Sequence, residues 1–276
     1  MRSNPKLDTN LAWQNAHAAI KGNREALLAI AGVFFFLPSL AFALLYPQPP
    51  AAPGAMTPQQ AVAFFEKFYR ESLPFTLAMT VSQIVGTMAI LRLFAGQHRP
   101  TVGDAIAKGA VDAAVFLLSM FGLSLLGSVV AGLILAVAAV TGQQAVAGVA
   151  MAAVVVVLSY VFVRLILVMP VMAVEGLRNP AASLPRSWAL TRGNVGRILL
   201  FMMLMVLAYV VILSMVSAVF GIAVALVLGA EGAKIVVAVV AAALGAVFTL
   251  YLSTSLAAIH RQLAGPSEAD LRTTFD

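Results

Sequence analysis

Six apolar stretches, each long enough to cross a lipid bilayer, constrain the fold of this chain more than any other feature. A transmembrane helix needs about 20 mostly apolar residues, because the hydrocarbon core is about 30 Å thick and each residue rises 1.5 Å. The stretches that meet this condition are residues 26–46, 73–95, 113–140, 145–170, 198–228 and 235–260. We therefore predict an all-α, polytopic integral membrane protein with six transmembrane helices in three hairpins, within one membrane domain that covers residues 1–276.

The composition agrees with a location inside a membrane. Hydrophobic residues make up 62% of the chain and charged residues 10%, whereas soluble domains have roughly half apolar and about a quarter charged residues. The formal net charge is +6, but the basic residues flank the apolar stretches and form no single stripe of the kind that binds nucleic acid. We expect anionic membrane lipids, and not nucleic acid, to be the partners of these charges.

The distribution of Lys and Arg predicts the orientation of the six spans. Thirteen basic residues lie in the termini and in the second and fourth connections, and three lie in the other connections. Because loops rich in Lys and Arg stay on the cytoplasmic side, both termini are predicted to be cytoplasmic.

Two connections have the pattern of helices that lie on the membrane surface. Residues 57–71 begin with a capping box at Thr57 and then alternate aromatic and charged residues, which predicts a short amphipathic helix at the outer interface. On the cytoplasmic side, a second interfacial helix is predicted from Asn179 to Gly193. Trp188 lies within it and is the predicted interfacial anchor, since tryptophan has an apolar body and one polar group.

Three similar basic-glycine pairs suggest an internal repeat. Gly22, Gly109 and Gly193 each follow Lys or Arg, at intervals of 87 and 84 residues. A basic residue followed by glycine is typical of a helix that ends in a left-handed turn. The spacing predicts a threefold repeat of about 85 residues, in which a cytoplasmic surface helix precedes each hairpin. Chance similarity between apolar segments is the alternative.

One stretch of the chain is similar to a known family. The sequence RLILVMPVMAVEG at residues 164–176, the Asn-Pro pair at 179–180 and RSWALTRGN at residues 186–194 resemble the membrane domain of bacterial glycerophosphoryl diester phosphodiesterases. They also resemble the related YciC-type inner-membrane proteins of unassigned function. The resemblance implies a bacterial inner-membrane protein with a connection to lipids. It implies no hydrolase, because the chain shows no counterpart of the soluble phosphodiesterase domain.

The sequence offers no obvious active site. Cysteine is absent, and His17, His98 and His260 lie in separate segments without metal-ligand spacing. We therefore expect no metal, no cofactor and no enzymatic activity. The polar residues inside the spans are neutral, and they are either helix-packing residues or the lining of a transport path: Ser82, Gln83, Ser119, Ser124, Ser128, Ser214, Ser217, Ser253, Thr254 and Ser255.

Arg164 is the one charged residue well inside a predicted span. Either its side chain extends to the headgroups, or it faces inward and pairs with Glu175 or with a lipid phosphate. The proposed repeat would bring it level with Arg92 and Arg261. The predicted lipid-phosphate contacts are therefore Arg92, Arg164, Glu175 and Arg261.

These observations lead to one principal functional hypothesis and two alternatives. The basic inner face and the family resemblance favour a non-enzymatic protein that binds or moves phospholipid or organises the envelope. A small-molecule transporter or exporter would instead use the neutral polar interior. An assembly or scaffold module would bind a protein partner or a second copy through small-residue ridges, such as Ser124, Ser128 and Gly132.

Overall fold

A computed structural model describes residues 5–46, 57–95 and 101–265, and these residues form helices and connections without a β-strand. A π-helical turn, Gly32–Phe36, lies between Ala31 and Leu37. The helices are α1 (Thr9–Gly22), α2 (Arg24–Ala31), α3 (Leu37–Leu45), α4 (Pro58–Leu93), α5 (Val102–Val140), α6 (Gln144–Leu165), α7 (Val168–Val174), α8 (Pro180–Leu190) and α9 (Val195–Ala264).

Five helical segments are long and apolar enough to cross a membrane, which confirms a helical membrane protein. They are Arg24–Leu45, Gln59–Leu93, Val102–Val140, Gln144–Val174 and Val195–Ala264. The first four correspond to the first four predicted spans. The predicted spans 198–228 and 235–260 both fall within the fifth segment, α9.

A break at Gly229 divides α9 into two arms. Gly229 has φ 74° and ψ 179°, a conformation that essentially only glycine adopts. The first arm, 195–228, and the second arm, 230–264, lie antiparallel. The rings of Tyr209 and Phe248 stack with their centroids 4.4 Å apart, and a Cβ on Gly221 would lie 3.7 Å from Val237.

The first membrane-spanning segment, Arg24–Leu45, is hydrogen-bonded to α4 next to Pro38. Proline has no N–H to donate to the carbonyl four residues earlier, which here is that of Phe34. The hydroxyl of Ser82 donates to this oxygen at 3.1 Å. Gly86 lets the two helices approach, since a Cβ there would lie 2.6 Å from the Cβ of Phe34.

The predicted outer interfacial helix is not a separate element. The capping box of Thr57 and Gln60 is present, but the helix that it starts continues to Leu93 and contains Pro74. Tyr46 packs on both sides of this proline, with ring centroids 5.9 Å from Phe68 and 5.7 Å from Phe75. These contacts across Pro74 account for one continuous helix where the sequence predicts two.

The glycine stops predicted for the repeat are only partly present. Gly193 has φ 82° and follows α8, as predicted. α1 ends at Gly22, but without a left-handed turn. Gly109 lies inside α5, where a Cβ would be only 2.7 Å from the backbone nitrogen of Ala89. Its prediction as a helix end was wrong, because this glycine serves close packing of α5 on α4. The threefold repeat itself stays a prediction.

The helix predicted after residue 179 is present as α8. The side chain of Asn179 caps it by accepting a hydrogen bond from the N–H of Ala181 at 3.0 Å, and Pro185 does not interrupt it. In contrast, the ridge of Ser124, Ser128 and Gly132 lies on an exposed face of α5 and packs against no described helix.

Candidate functional site

A buried carboxylate joins α4, α5 and the loop before α8. Asp112 is completely buried and lies 2.5 Å from Nε of Arg92 and 2.7 Å from Nε of Arg178. The side chain of Arg92 is 16% exposed and that of Arg178 is 47% exposed. We call these three residues the Asp112 cluster. It holds the predicted lipid contact Arg92 in an ion pair with a protein group.

A second cluster joins α7, α8 and α9. Nε of Arg186 donates to both oxygens of Glu175, at 3.1 and 3.0 Å, and Nε2 of His260 lies 2.8 Å from Oε1. Partial burial acts to raise the pKa of Glu175, but the hydrogen bonds from His260 and Arg186 and their positive charges outweigh it and hold the pKa below its usual range. Glu175 is therefore a carboxylate that links three helices.

Arg164 is buried and binds α8. Its side chain donates to the carbonyl of Trp188 at 3.0 Å and to the hydroxyl of Thr191 at 3.3 Å, and its Nε is buried without a partner among the described residues. The guanidinium carbon lies 4.4 Å from the centroid of the Trp188 ring system.

These contacts correct two of the predicted alternatives for Arg164. With only 6% of its surface exposed, its side chain does not extend to the headgroups. Glu175 pairs with Arg186 and His260 instead of Arg164, because the chain bends after α6 and turns Arg164 towards the carboxyl end of α8. That helix end is electronegative and can hold a cation.

The three arginines that the predicted repeat would bring to one level are not joined by direct contacts. Arg261 donates to the carbonyl of Phe94 at 2.8 Å, and its guanidinium lies over the Phe94 ring. Arg92, Arg164 and Arg261 thus each bind a different protein group. Whether any of them also contacts a lipid phosphate stays a prediction.

Trp188 has a structural partner that the sequence did not indicate. Its ring covers Arg164 and meets Tyr160 edge to face at 5.9 Å, while 38% of its surface is exposed. An interfacial depth for this half-covered ring stays a prediction. The remaining histidines are dispersed: Nδ1 of His17 lies 3.0 Å from the hydroxyl of Tyr251, and His98 lies outside the described residues.

An apolar groove of about 500 Å³ runs between α1 and the two arms of α9. It opens sideways, because the lining residues Trp13, Leu204, Ile212 and Val247 are 42 to 55% exposed. Thr9 and Asn10 of α1 place small polar side chains at one end of the groove, which we call its upper end. The lining residues are Thr9, Asn10, Trp13, Phe201, Leu204, Met205, Ala208, Tyr209, Ile212, Leu244, Val247, Phe248 and Tyr251.

Hydrogen bonds before α1 fix this helix across the upper end of the groove. The side chain of Asn194 accepts from the N–H of Leu7 at 2.8 Å and donates to the carbonyl of Pro5 at 2.9 Å. Gln262, near the end of the second arm, makes two bonds to the backbone of Asp8. α1 is thereby tied to both arms of α9.

Arg197 lies at the rim of this groove. It is four residues before Phe201 on the first arm, so both side chains lie on one face of the helix. Arg197 is exposed and donates one bond, to the carbonyl of Leu7 at 2.9 Å; its other nitrogens bind no described residue. The groove therefore has an available guanidinium directly above its apolar wall.

A smaller cavity of about 310 Å³ lies on the other side of the arms, against α3 and α4. We call it the inner cavity. Its polar lining groups are Ser39, Gln83, Tyr209 and Thr249. Tyr209 and Phe248 also line the groove, so this stacked pair is the partition between the two spaces.

Two of these features were missed from the sequence. Asp112 lies just before the predicted span 113–140, and its partners are 20 and 66 residues away in sequence. Arg197 was used only as a count in the orientation argument. The spacing of Arg197, Phe201 and Met205 by four residues could have placed a cation above an apolar face.

The comparisons with known proteins support the resemblance to the phosphodiesterase membrane domain. The family model described as the membrane domain of glycerophosphoryl diester phosphodiesterase matches residues 134–265. No curated protein and no solved structure matches the chain. The matched part contains α6 to α9, and with them both arms that line the groove and the inner cavity. Residues 134–265 are therefore similar to this membrane domain, as residues 164–194 predicted.

Proposed function

We propose that the chain is a non-enzymatic, six-span protein of the bacterial inner membrane that binds an anionic phospholipid in the groove between α1 and α9. The observation that carries this proposal is the position of Arg197, an exposed guanidinium directly above an apolar, laterally open groove. A phospholipid has the matching order of groups, with an anionic phosphate above hydrocarbon chains. Arginine suits phosphate because its planar fork can bind two oxygens.

The length of the groove fits one leaflet. Arg197 and Tyr209 are twelve residues apart on one helix, which corresponds to about 18 Å along its axis. Half of the hydrocarbon core is about 15 Å. A phosphate beside Arg197 would therefore have its acyl chain alongside Phe201 and Leu204, within the same leaflet.

Arg197 is better supported as the phosphate contact than the arginines predicted from the sequence. Arg92 is paired with buried Asp112, and Arg164 is nearly covered by α8 and Trp188. A phosphate would have to displace these protein groups before binding. Beside Arg197 it would only replace water or solvent ions.

The topology can be tested with single cysteines, because the natural chain contains none. Exposed positions suitable for replacement are Gly142 between α5 and α6, Glu231 beside Gly229, and Ala182 on α8. In intact spheroplasts, a membrane-impermeant thiol reagent should label Gly142→Cys and Glu231→Cys but not Ala182→Cys. Labelling of the cysteines at 142 and 182 from the same side would refute the proposed topology.

Lipid binding can be measured by mass spectrometry of the phospholipid that remains after purification in mild detergent. We expect Arg197→Gln to retain less anionic lipid than the wild type. Arg24→Gln is the matched control, since it removes an exposed arginine from the start of α2, outside the groove. Ala208→Trp fills the groove without changing Arg197 and should also reduce retention.

The two variants separate lipid binding from loss of structure. Arg197 also bonds to the carbonyl of Leu7, whereas the side chain of Ala208 is exposed and lines the groove. If both variants retain as much lipid as Arg24→Gln and the wild type, the groove holds only exchangeable bilayer lipid. The proposed function would then be refuted.

A further inference from the structure

The inner cavity is a second, partly open space, and it differs in chemistry from the groove. Its apolar lining comes mainly from Phe35, Phe42, Met79 and Phe248. The groove has its small polar groups at one end, but the inner cavity has them around its wall, contributed by α3, α4 and both arms of α9.

Three polar groups on this wall have no partner within the described part of the chain. The hydroxyl of Ser39, the amide of Gln83 and the hydroxyl of Tyr209 make no hydrogen bond to a described residue. Thr249 differs, because its hydroxyl donates to the carbonyl of Gly245 at 2.9 Å. Without water or a ligand, an unpaired polar group surrounded by hydrocarbon is unfavourable. These groups therefore offer both donors and acceptors to a molecule inside the cavity.

The charge of the lining restricts what can bind. No Asp, Glu, Lys, Arg or His is among the described lining residues. A charged ligand would enter an apolar environment without a counter-charge, which is strongly unfavourable. The volume of about 310 Å³ is at the small end of the range for ligand pockets, roughly 300–1,000 Å³.

The side chain of Tyr209 lines both the inner cavity and the groove. A Cβ on Gly245 would lie 3.4 Å from the hydroxyl oxygen of Tyr209, so glycine leaves room for this group. The ring of Tyr209 stacks on Phe248, and the two rings separate the inner cavity from the laterally open groove. Movement of these two side chains would join the inner cavity to the groove.

We propose that the inner cavity is a binding site for a small, uncharged molecule with an apolar body and hydrogen-bonding groups. Gln83 supplies the amide that can both donate and accept. The aromatic lining covers the apolar body. This site is independent of the phospholipid proposed for the groove.

The test uses an uncharged phenol that carries a photoreactive diazirine, applied to the full chain in mild detergent. We expect saturable labelling of the cavity lining in α3, α4 and α9, located by peptide mass spectrometry and suppressed by excess phenol. Gln83→Leu removes the amide at nearly constant volume, and Gly245→Val fills the cavity beside Tyr209. Both variants should lose most of the suppressible labelling. Ser124→Ala, on the exposed face of α5, is the matched control and should retain it.

The results distinguish this site from the groove. Labelling that excess phenol does not suppress, or that Gln83→Leu and Gly245→Val both retain, would overturn the proposal. Label found only at groove residues such as Leu204 or Val247 would also overturn it. None of these outcomes changes the lipid retention expected for Arg197→Gln, so failure of this site and failure of the groove can be told apart.

Discussion

Replacing Asp112 by asparagine should destabilise the protein more than any other single change to a charged residue in the Asp112 cluster. The carboxylate is completely buried and lies within 2.7 Å of two guanidinium nitrogens. Asparagine keeps the size and one acceptor oxygen but loses the charge. Arg92, which is only 16% exposed, would then be a nearly buried cation without a counter-charge.

The exposure of each partner gives the expected order of effects. Removing one member of a buried ion pair costs about 3–5 kcal/mol, a large part of a typical stability of about 5–15 kcal/mol. Arg178 is 47% exposed, so water can replace its contact, and Arg178→Gln should cost only about 0–1 kcal/mol. Arg92→Gln should fall between the two, because Arg178 would still balance Asp112.

The measurement is equilibrium unfolding in mixed micelles with an increasing fraction of denaturing detergent, followed by circular dichroism. Glu66→Gln is the matched control, because it breaks an ion pair with Arg70 in which both side chains are more than 60% exposed. If Asp112→Asn is as stable as Glu66→Gln, the Asp112 cluster does not join α4 to α5 as argued here.

Three further predictions concern other contacts. Gly109→Val should lower the free energy of unfolding by about 1–3 kcal/mol, because its Cβ would meet the backbone of α4. Gly132→Val is the control and should not lower it, since a Cβ at Gly132 has no neighbour within 4 Å. Equal stability of the two variants in the same detergent titration would contradict this prediction. The lowered pKa of Glu175 stabilises the folded protein at a pH above the usual pKa of a glutamate, and this stabilisation is lost as the pH falls through the lowered pKa. Glu175→Gln should therefore weaken the acid dependence of thermal unfolding, and an unchanged pH profile would count against the cluster. Arg164→Lys cannot reproduce the stacked, forked contacts with α8. In a Trp13→Phe background, which leaves Trp188 as the only tryptophan, its fluorescence should become more accessible to an aqueous quencher, and unaltered quenching would refute this docking role.

The membrane-spanning character of the chain was predictable because it depends on local composition. A run of about 20 apolar residues must be removed from water wherever it occurs in the sequence. Helix starts with a local signal were also predictable, as at Thr57 and Asn179, where a side chain caps its own helix.

Helix continuity was less predictable because distant contacts decide it. Gly109 reads as a helix end, yet it lies inside α5 and packs on Ala89 of another helix. The first turns of α4 read as a separate interfacial helix, yet Tyr46 binds on both sides of Pro74. Neither contact can be deduced from the residues next to the position in question.

The candidate sites depended even more on tertiary structure. Arg164 was recognisable because a charge within an apolar run is unusual, but its partners, Trp188 and Thr191, lie on a separate helix. The groove requires α1 to lie against two antiparallel arms of α9, which residues near the N-terminus and at 194 and 262 bring about. Arg197 acquires its proposed role only from this arrangement.

The conformation of Gly229 determines the overall length of the last 70-residue helix. As one straight rod, α9 would be about 105 Å long, more than three times the thickness of the hydrocarbon core. Most of that apolar rod would project into water, whereas two folded arms keep it within reach of the bilayer. A residue with a Cβ at position 229 would be strained in this conformation and would favour a straight α9. The apolar surface of the straightened helix would then be exposed to water. The fit of α9 to a membrane thus depends on one residue that has no side chain.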